Sequence, residues 1–171
     1  RRKTVQLLNP LAEDQSVLRS MLLPGLLDNV RRNVNYQVTD IRLFETGKCF
    51  VPGPGLDQPK EATYLTAVLS GRRQPGAPLL HMGEEKCDIY DVRGVVETLL
   101  TTLGFSDISF DHHVETVESF CEADTFARVS VQGRDLGCFA RIDKKVLGQF
   151  GIKQDVYFLD LHLDALLAAT K

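Results

Sequence analysis

Two strand-like segments constrain the fold most, because their apolar side chains fall on both faces. In TDIRLFETGKCFV, residues 39–51, Ile41 and Leu43 lie on one face and Phe44 and Phe50 on the other. The segment YLTAVLSG, residues 64–71, has the same character. Strands of this kind belong to sheets that are covered on both sides. The glycine- and proline-rich loop between them predicts an antiparallel hairpin.

Apolar residues at helical spacing predict two helices, one on each side of this hairpin. The first spans residues 20–33, with Ser20 as its N-cap and Pro24 in its first turn. The second spans residues 88–104 and is the clearest in the chain. Asp88 or Asp91 can cap its start, and Gly104 supplies a left-handed stop.

The last third of the chain is rich in strands. Two strands meet at a tight Gln132-Gly133 turn, and a short helix and the strand DVYFLDLHL follow. A final helix is predicted with Asp164 as its cap. This order is not a regular alternation of strands and helices. We therefore expect one α+β domain over residues 1–171, with a mostly antiparallel sheet flanked by helices.

Composition narrows the class of protein. The chain of 171 residues has a net charge of −3, without the basic surplus of a stand-alone nucleic-acid binder. No apolar run reaches the roughly 18–20 residues of a membrane span. The four cysteines form no CxxC pair, so free thiols in a reducing cytoplasm are expected. Because the chain begins with Arg1, we expect a piece of a longer protein. Three basic pairs are interpreted as solvated: Arg31-Arg32, Arg72-Arg73 and Lys144-Lys145.

Motifs that carry chemistry are weak. Gly47-Lys48 is followed by Cys49 within a strand, whereas a phosphate loop needs a serine or threonine there and opens a helix. A histidine-rich stretch suggests a metal site, but adjacent histidines in an extended segment point to opposite faces, which favours surface residues. Its members are His112, His113, Glu115, Cys121 and Glu122. From the residues alone, no reaction follows.

A longer pattern nevertheless resembles a known family. Its elements are Asn9-Pro10-Leu11, Ser16, Leu18-Arg19, LLPGLL at 22–27, Asn33, Phe44-Glu45 and Gly47, followed by the later strands and helices. This pattern is similar to the core of the beta subunit of bacterial phenylalanyl-tRNA synthetase, over essentially all 171 residues. The resemblance implies an inactive copy of a class II aminoacyl-tRNA synthetase domain. It would pair with the alpha subunit, which holds the active site, in a cytoplasmic α2β2 ligase that uses ATP, Mg²⁺ and tRNA.

This sequence differs from the class II pattern at the positions of the residues that bind ATP. Active class II enzymes resemble one another in a Phe-Arg-x-Glu strand end and a Glu-Arg pair on the last helix. Here Phe50 is followed by Val51, and Gly53 stands where the glutamate would be. Ala165 replaces the second arginine, and His162 stands where a glycine would be. We therefore expect no catalytic, cofactor-binding or metal residue in this domain.

Two other functions stay open at this point. One is a class II-like ligase with its own altered nucleotide site, in which Arg19, Arg42 or Lys48 replaces the missing arginines. The other is direct tRNA binding through the loop at 53–59 and Arg72-Arg73, which the acidic balance disfavours.

Overall fold

A computed structural model describes residues 4–10, 16–53, 58–74, 85–113 and 117–169. The first half contains β1 (Val5–Gln6), β2 (Val17–Leu18), α1 (Leu23–Asn35), β3 (Ile41–Val51), β4 (Lys60–Ser70) and α2 (Ile89–Thr102). The second half contains β5 (Ile108–Asp111), a 3-10 turn (Ala123–Thr125), β6 (Ala127–Val131), β7 (Arg134–Arg141), α3 (Lys144–Gln149), β8 (Val156–His162) and α4 (Leu163–Ala169). Within these ranges, no helix is both long and apolar enough to cross a membrane.

Six of the strands form one antiparallel sheet in the order β3-β4-β8-β7-β6-β5. The predicted hairpin is confirmed, because β3 and β4 pair along their whole lengths, from Ile41 opposite Ser70 to Val51 opposite Lys60. β8, which comes late in the chain, inserts between β4 and β7. The prediction of an α+β domain with a mostly antiparallel sheet is thereby confirmed.

Helices cover both faces of this sheet. On one face α2 and α4 enclose a core that includes Val96, Leu100, Phe139 and Leu159. On the other face α1 and α3 enclose a second core built around Phe158. Burial of both faces accounts for the two-sided apolar pattern of the central strands.

The edge strand β3 departs from this prediction. Its inward side chains pack under α1, but Phe44 on the other face is 74% exposed. The layer formed by α2 and α4 lies over β4, β8 and β7, so it does not cover Phe44. The expectation that both faces of this strand are buried is therefore wrong at Phe44.

Helix ends were predicted with mixed success. Asp88 and Asp91 form a reciprocal capping box at the start of α2, and Gly104 has φ of +90°. Ser20 is not an N-cap, because α1 begins at Leu23 and no side chain caps it, although Pro24 does lie in its first turn. The prediction of Ser20 as the cap of α1 was therefore wrong.

The β6–β7 hairpin depends on two kinds of backbone irregularity. Gln132 and Gly133 both have positive φ, as the predicted tight turn requires. Further along β7, Gly137 has φ of +147° where the β6–β7 register shifts. A Cβ at this position would collide with the backbone oxygen of Asp160 on β8. Only glycine allows β7 and β8 to pair so closely here.

We expect Gly137→Ala to lower the free energy of unfolding by about 2 kcal/mol or more, because it adds both backbone strain and a clash with backbone. Urea unfolding followed by circular dichroism measures the change. Gly148→Ala in α3 is the matched control, since its Cβ meets nothing within 4 Å. That variant should be neutral or slightly stabilised. Equal stability of the two variants would contradict this account of Gly137.

Candidate functional site

A carboxylate at the start of α4 contacts the β3–β4 hairpin where β8 ends. Asp164 lies in the first turn of α4, and its Oδ2 accepts a hydrogen bond of 2.8 Å from the backbone N–H of Thr63. This hydrogen bond lowers the pKa of the Asp164 carboxyl. The residue was predicted to cap α4, but the helix already begins at Leu163, and the carboxylate instead joins α4 to β4.

The neighbouring aromatic contact closes the same corner. The ring of His162 stacks on Tyr64 with centroids 5.0 Å apart. Its Nε2 lies 3.7 Å from Oδ2 of Asp164, too long for a hydrogen bond. These two rings form one wall of a cavity of about 460 Å³ on the α1/α3 face of the sheet. We call it the sheet-face cavity.

Carboxylates dominate the sheet-face cavity. Glu118, Asp135 and Asp160 all line it, and Oδ1 of Asp160 also accepts a hydrogen bond of 2.5 Å from buried Thr66. Arg128 is the one lysine or arginine among the described lining residues, and its Nη1 donates to Asp135 at 2.5 Å. A phosphate group entering this cavity would therefore meet more negative than positive charge.

The positions predicted to lack the class II arginines lie outside this lining. Val51 ends β3 beside the loop and is half exposed. Gly53 follows it in the sequence and is half-buried. Ala165 packs against the apolar core beneath α2 and α4, on the opposite side of the sheet. Of the four positions compared with the class II pattern, all of which the structure describes, His162 alone lines the sheet-face cavity.

The three cations considered as substitutes are engaged elsewhere. Arg19 donates from Nη1 to Glu45 at 2.7 Å and from Nε to the carbonyl of Lys48 at 2.9 Å. Its guanidinium lies against Gly47, where a Cβ would displace the end of the Arg19 side chain. The Gly47-Lys48 pair therefore lies within β3 beside an arginine side chain, not in a loop that opens a helix.

The other two lie at opposite ends of β3. Lys48 forms an exposed ion pair of 2.7 Å with Glu61. Arg42 donates to the backbone carbonyls of Ser70 and Arg72 at 2.8 Å. Val51 lies nine residue steps from Arg42 along β3, roughly 30 Å, so Arg42 cannot replace an arginine at that end.

Arg72 and Arg73, the pair considered for tRNA binding, contact carboxylates. Arg72 holds Asp40 through two side-chain bonds and its backbone N–H, at 2.6 to 2.8 Å. Arg73 forms ion pairs with three acids at the start of α2: Glu85, Asp88 and Asp91. These contacts leave little of either guanidinium for a phosphate. Residues 54–57 of the loop named with them lie outside the described residues.

The histidine-rich stretch forms no metal site among the residues that the structure describes. His112 lies 3.2 Å from the carbonyl of Phe126 through Nδ1, whereas the backbone N–H of His113 donates to Asp111. Cys121 is buried, and Glu122 pairs with Arg141. Glu115 lies outside the described residues. All four cysteines carry thiols rather than disulfides, as predicted.

Sequence reasoning missed the sheet-face cavity itself. Its members come from β4, β6, β7 and β8 and from the segment before the 3-10 turn, so no local spacing brings them together. One signal was available: Asp160 is a carboxylate at a core-facing position of a strongly apolar strand.

Comparison with protein families gives a match to the phenylalanyl tRNA synthetase beta chain CLM domain over residues 1–163. The phenylalanine–tRNA ligase beta subunit of Desulfotalea psychrophila is 40% identical over 98% of this chain and 21% of its own length. That of Syntrophotalea carbinolica is 39% identical over 99% of this chain and 20% of its own length. The chain thus spans about a fifth of the length of these relatives.

Solved structures support the fold. The pyrrolysyl tRNA synthetase PylSc of Desulfitobacterium hafniense superposes with a TM-score of 0.64 over 93% of this chain and 51% of its own. Its sequence identity is 20%. A second structure of pyrrolysyl-tRNA synthetase from that organism gives a TM-score of 0.63, at 20% identity, over 96% of this chain and 52% of its own. The predicted class II synthetase-like fold is confirmed.

We expect Asp40→Asn to lower the free energy of unfolding at pH 7 by about 1–3 kcal/mol, because Asp40 accepts three charge-assisted bonds from Arg72. These bonds lower the pKa of Asp40, so its contribution is present above the ordinary carboxyl pKa. It is lost as the pH falls through the lower, folded-state value. Urea titrations from pH 7 to about 3 should show the gap between wild type and variant closing on the acid side.

Asp28→Asn is the control for this prediction, since the Asp28–Arg31 pair is an exposed contact within α1. It should change the stability at pH 7 by less than about 0.5 kcal/mol. A gap between Asp40→Asn and wild type that stays constant down to pH 3 would contradict the assignment.

Proposed function

Because this chain belongs to the family of the phenylalanyl-tRNA synthetase beta chain CLM domain, we propose that it is the non-catalytic class II-like core of a phenylalanine–tRNA ligase beta subunit. In this role it pairs with the alpha subunit and supports the subunit that performs the chemistry. The whole ligase would attach phenylalanine to its tRNA in the cytoplasm, with ATP and Mg²⁺ as its requirements.

The charge of the sheet-face cavity carries the proposal that this domain is inactive. Adenylate formation needs cations placed on the phosphate groups, where negative charge develops as the carboxylate attacks. Among the lining residues that the structure describes, Glu118, Asp135 and Asp160 face one arginine, and Asp135 already pairs with it. Each missing charge-assisted contact removes on the order of 1.5–3 kcal/mol of binding.

The substitutions at the hairpin and at α4 support the same interpretation. Neither Val51 nor Ala165 can donate a hydrogen bond to phosphate through its side chain. His162 contributes an imidazole to the cavity wall, where it stacks on Tyr64 rather than leaving an open floor. A core that keeps the fold without these donors is suited to pairing and support, not to activation of an amino acid.

The alternative ligase with an altered nucleotide site has less support. Arg19 and Lys48 are bound to Glu45 and Glu61, and Arg42 holds carbonyls at the far end of β3. Rebuilding a phosphate site would require these contacts to break first.

We expect this chain to give no ATP–pyrophosphate exchange with phenylalanine, ATP and Mg²⁺, because the described lining of the sheet-face cavity contains one arginine, and Asp135 already holds it. The assembled α2β2 ligase serves as the positive control in the same assay. Exchange above the buffer blank would contradict the proposal. If Arg19→Gln/Lys48→Gln then lost that exchange while Arg31→Gln/Lys60→Gln kept it, the altered-site ligase would be established instead.

Pairing is tested separately. Size-exclusion chromatography with light scattering should show a complex when this chain is mixed with the alpha subunit. Serum albumin in place of the alpha subunit should leave two separate peaks. Separate elution of this chain and the alpha subunit would contradict the pairing role without bearing on catalytic inactivity.

A further inference from the structure

A second cavity, of about 450 Å³, lies at the other end of the sheet, and we propose that it binds phosphate groups. Its walls come from the start of β3, the end of β4, the segment before α2, the start of α3 and the turn into β8. Three lysines from three of these segments line it: Lys86, Lys144 and Lys153. We call it the lysine cavity.

The three ammonium groups are available to a ligand. All three residues are exposed, and none forms an ion pair with another residue in the described ranges. The fourth cation of the lining, Arg72, is held by Asp40. Asp155 is the other acid in the lining. The described lining of the lysine cavity therefore contains four cations and two carboxylates, and one of these carboxylates is already paired.

This local surplus contrasts with the rest of the molecule. The whole chain carries a net charge of −3, and the sheet-face cavity is dominated by carboxylates. Tyr64 of the sheet-face cavity and Gly71 of the lysine cavity are seven residue steps apart along β4 and its end, roughly 23 Å. The lysine cavity is thus a distinct site, and it lies away from the hairpin end where the class II arginines would stand.

The chemistry of the lining selects the ligand. A lysine ammonium is a point charge with three donors, and it suits a phosphate with several acceptor oxygens. Lys86, Lys144 and Lys153 come from separate segments and line the same cavity, so a multiply charged group bound there would meet positive charge from three sides. The neutral part of the lining adds polar groups, among them Gln154, whose Nε2 donates to the carbonyl of Thr39. A cavity of this volume admits a diphosphate or a short stretch of phosphodiester backbone.

Two titrations of this chain, with inorganic pyrophosphate by calorimetry and with a short oligouridylate by fluorescence anisotropy, test the proposal. We expect wild type to bind at least one of these probes. Lys86→Gln/Lys153→Gln should weaken binding about tenfold or more, since it removes two charge-assisted contacts. Lys86→Arg/Lys153→Arg should retain it, because the charges stay in place. Binding of pyrophosphate alone would identify a small phosphate ligand, and binding of the oligouridylate would identify a nucleic-acid backbone.

The matched control is Lys48→Gln/Lys60→Gln, which removes the same two charges from the β3–β4 hairpin. It should bind within about twofold of wild type if the effect is local. Circular dichroism of each variant checks that the fold is kept. Failure of wild type to bind either probe, or equal loss of binding in both glutamine variants, would overturn the proposal. Neither outcome changes the expected lack of amino-acid activation, because that test concerns the sheet-face cavity.

Discussion

The burial of β8 between β4 and β7 is the constraint on which the rest of the structure depends. This strand comes late in the chain, yet it occupies the middle of the sheet, and five of its seven residues are buried. Its side chains belong to two separate cores, one on each face of the sheet. The strand therefore supports α1 and α3 on one face and α2 and α4 on the other. The register at Gly137 and the contact from Asp164 to Thr63 then fix how β8 meets its neighbours.

The sequence was sufficient to predict those structural elements that are determined by residues near one another in the chain. The β3–β4 hairpin, the capping box of Asp88 and Asp91 and the Gln132-Gly133 turn each depend on residues close in the chain. The failures are non-local. Phe44 carries the same pattern as a buried residue, and only the position of β3 at the sheet edge leaves it exposed. Asp164 has the sequence position of a helix cap, but its carboxylate accepts a hydrogen bond from the backbone N–H of Thr63, 101 residues earlier in the chain.

The same distinction applies to the candidate site. A motif comparison can locate Val51 and Ala165, because it asks only which residue type stands at a position. It does not indicate that Ala165 packs on the apolar side of the sheet or that Asp160 and Asp135 face one cavity. The charge of a cavity is a property of several strands together. For this reason both the acidic sheet-face cavity and the lysine cavity appear only once β4 and β8 are placed side by side.

The exposed face of β3 has a consequence for solubility. β3 lies at one edge of the sheet and is eleven residues long, and long edge strands are templates for pairing between molecules. Arg42 and Lys48 flank Phe44 on its exposed face, and charged side chains of this kind oppose edge-to-edge association. Lys48 therefore has two roles: its ion pair with Glu61 joins β3 to β4, and its charge opposes association of β3 with another molecule. Replacement of Arg42 and Lys48 by apolar residues would leave Phe44 at the centre of an exposed hydrophobic edge strand, which favours aggregation.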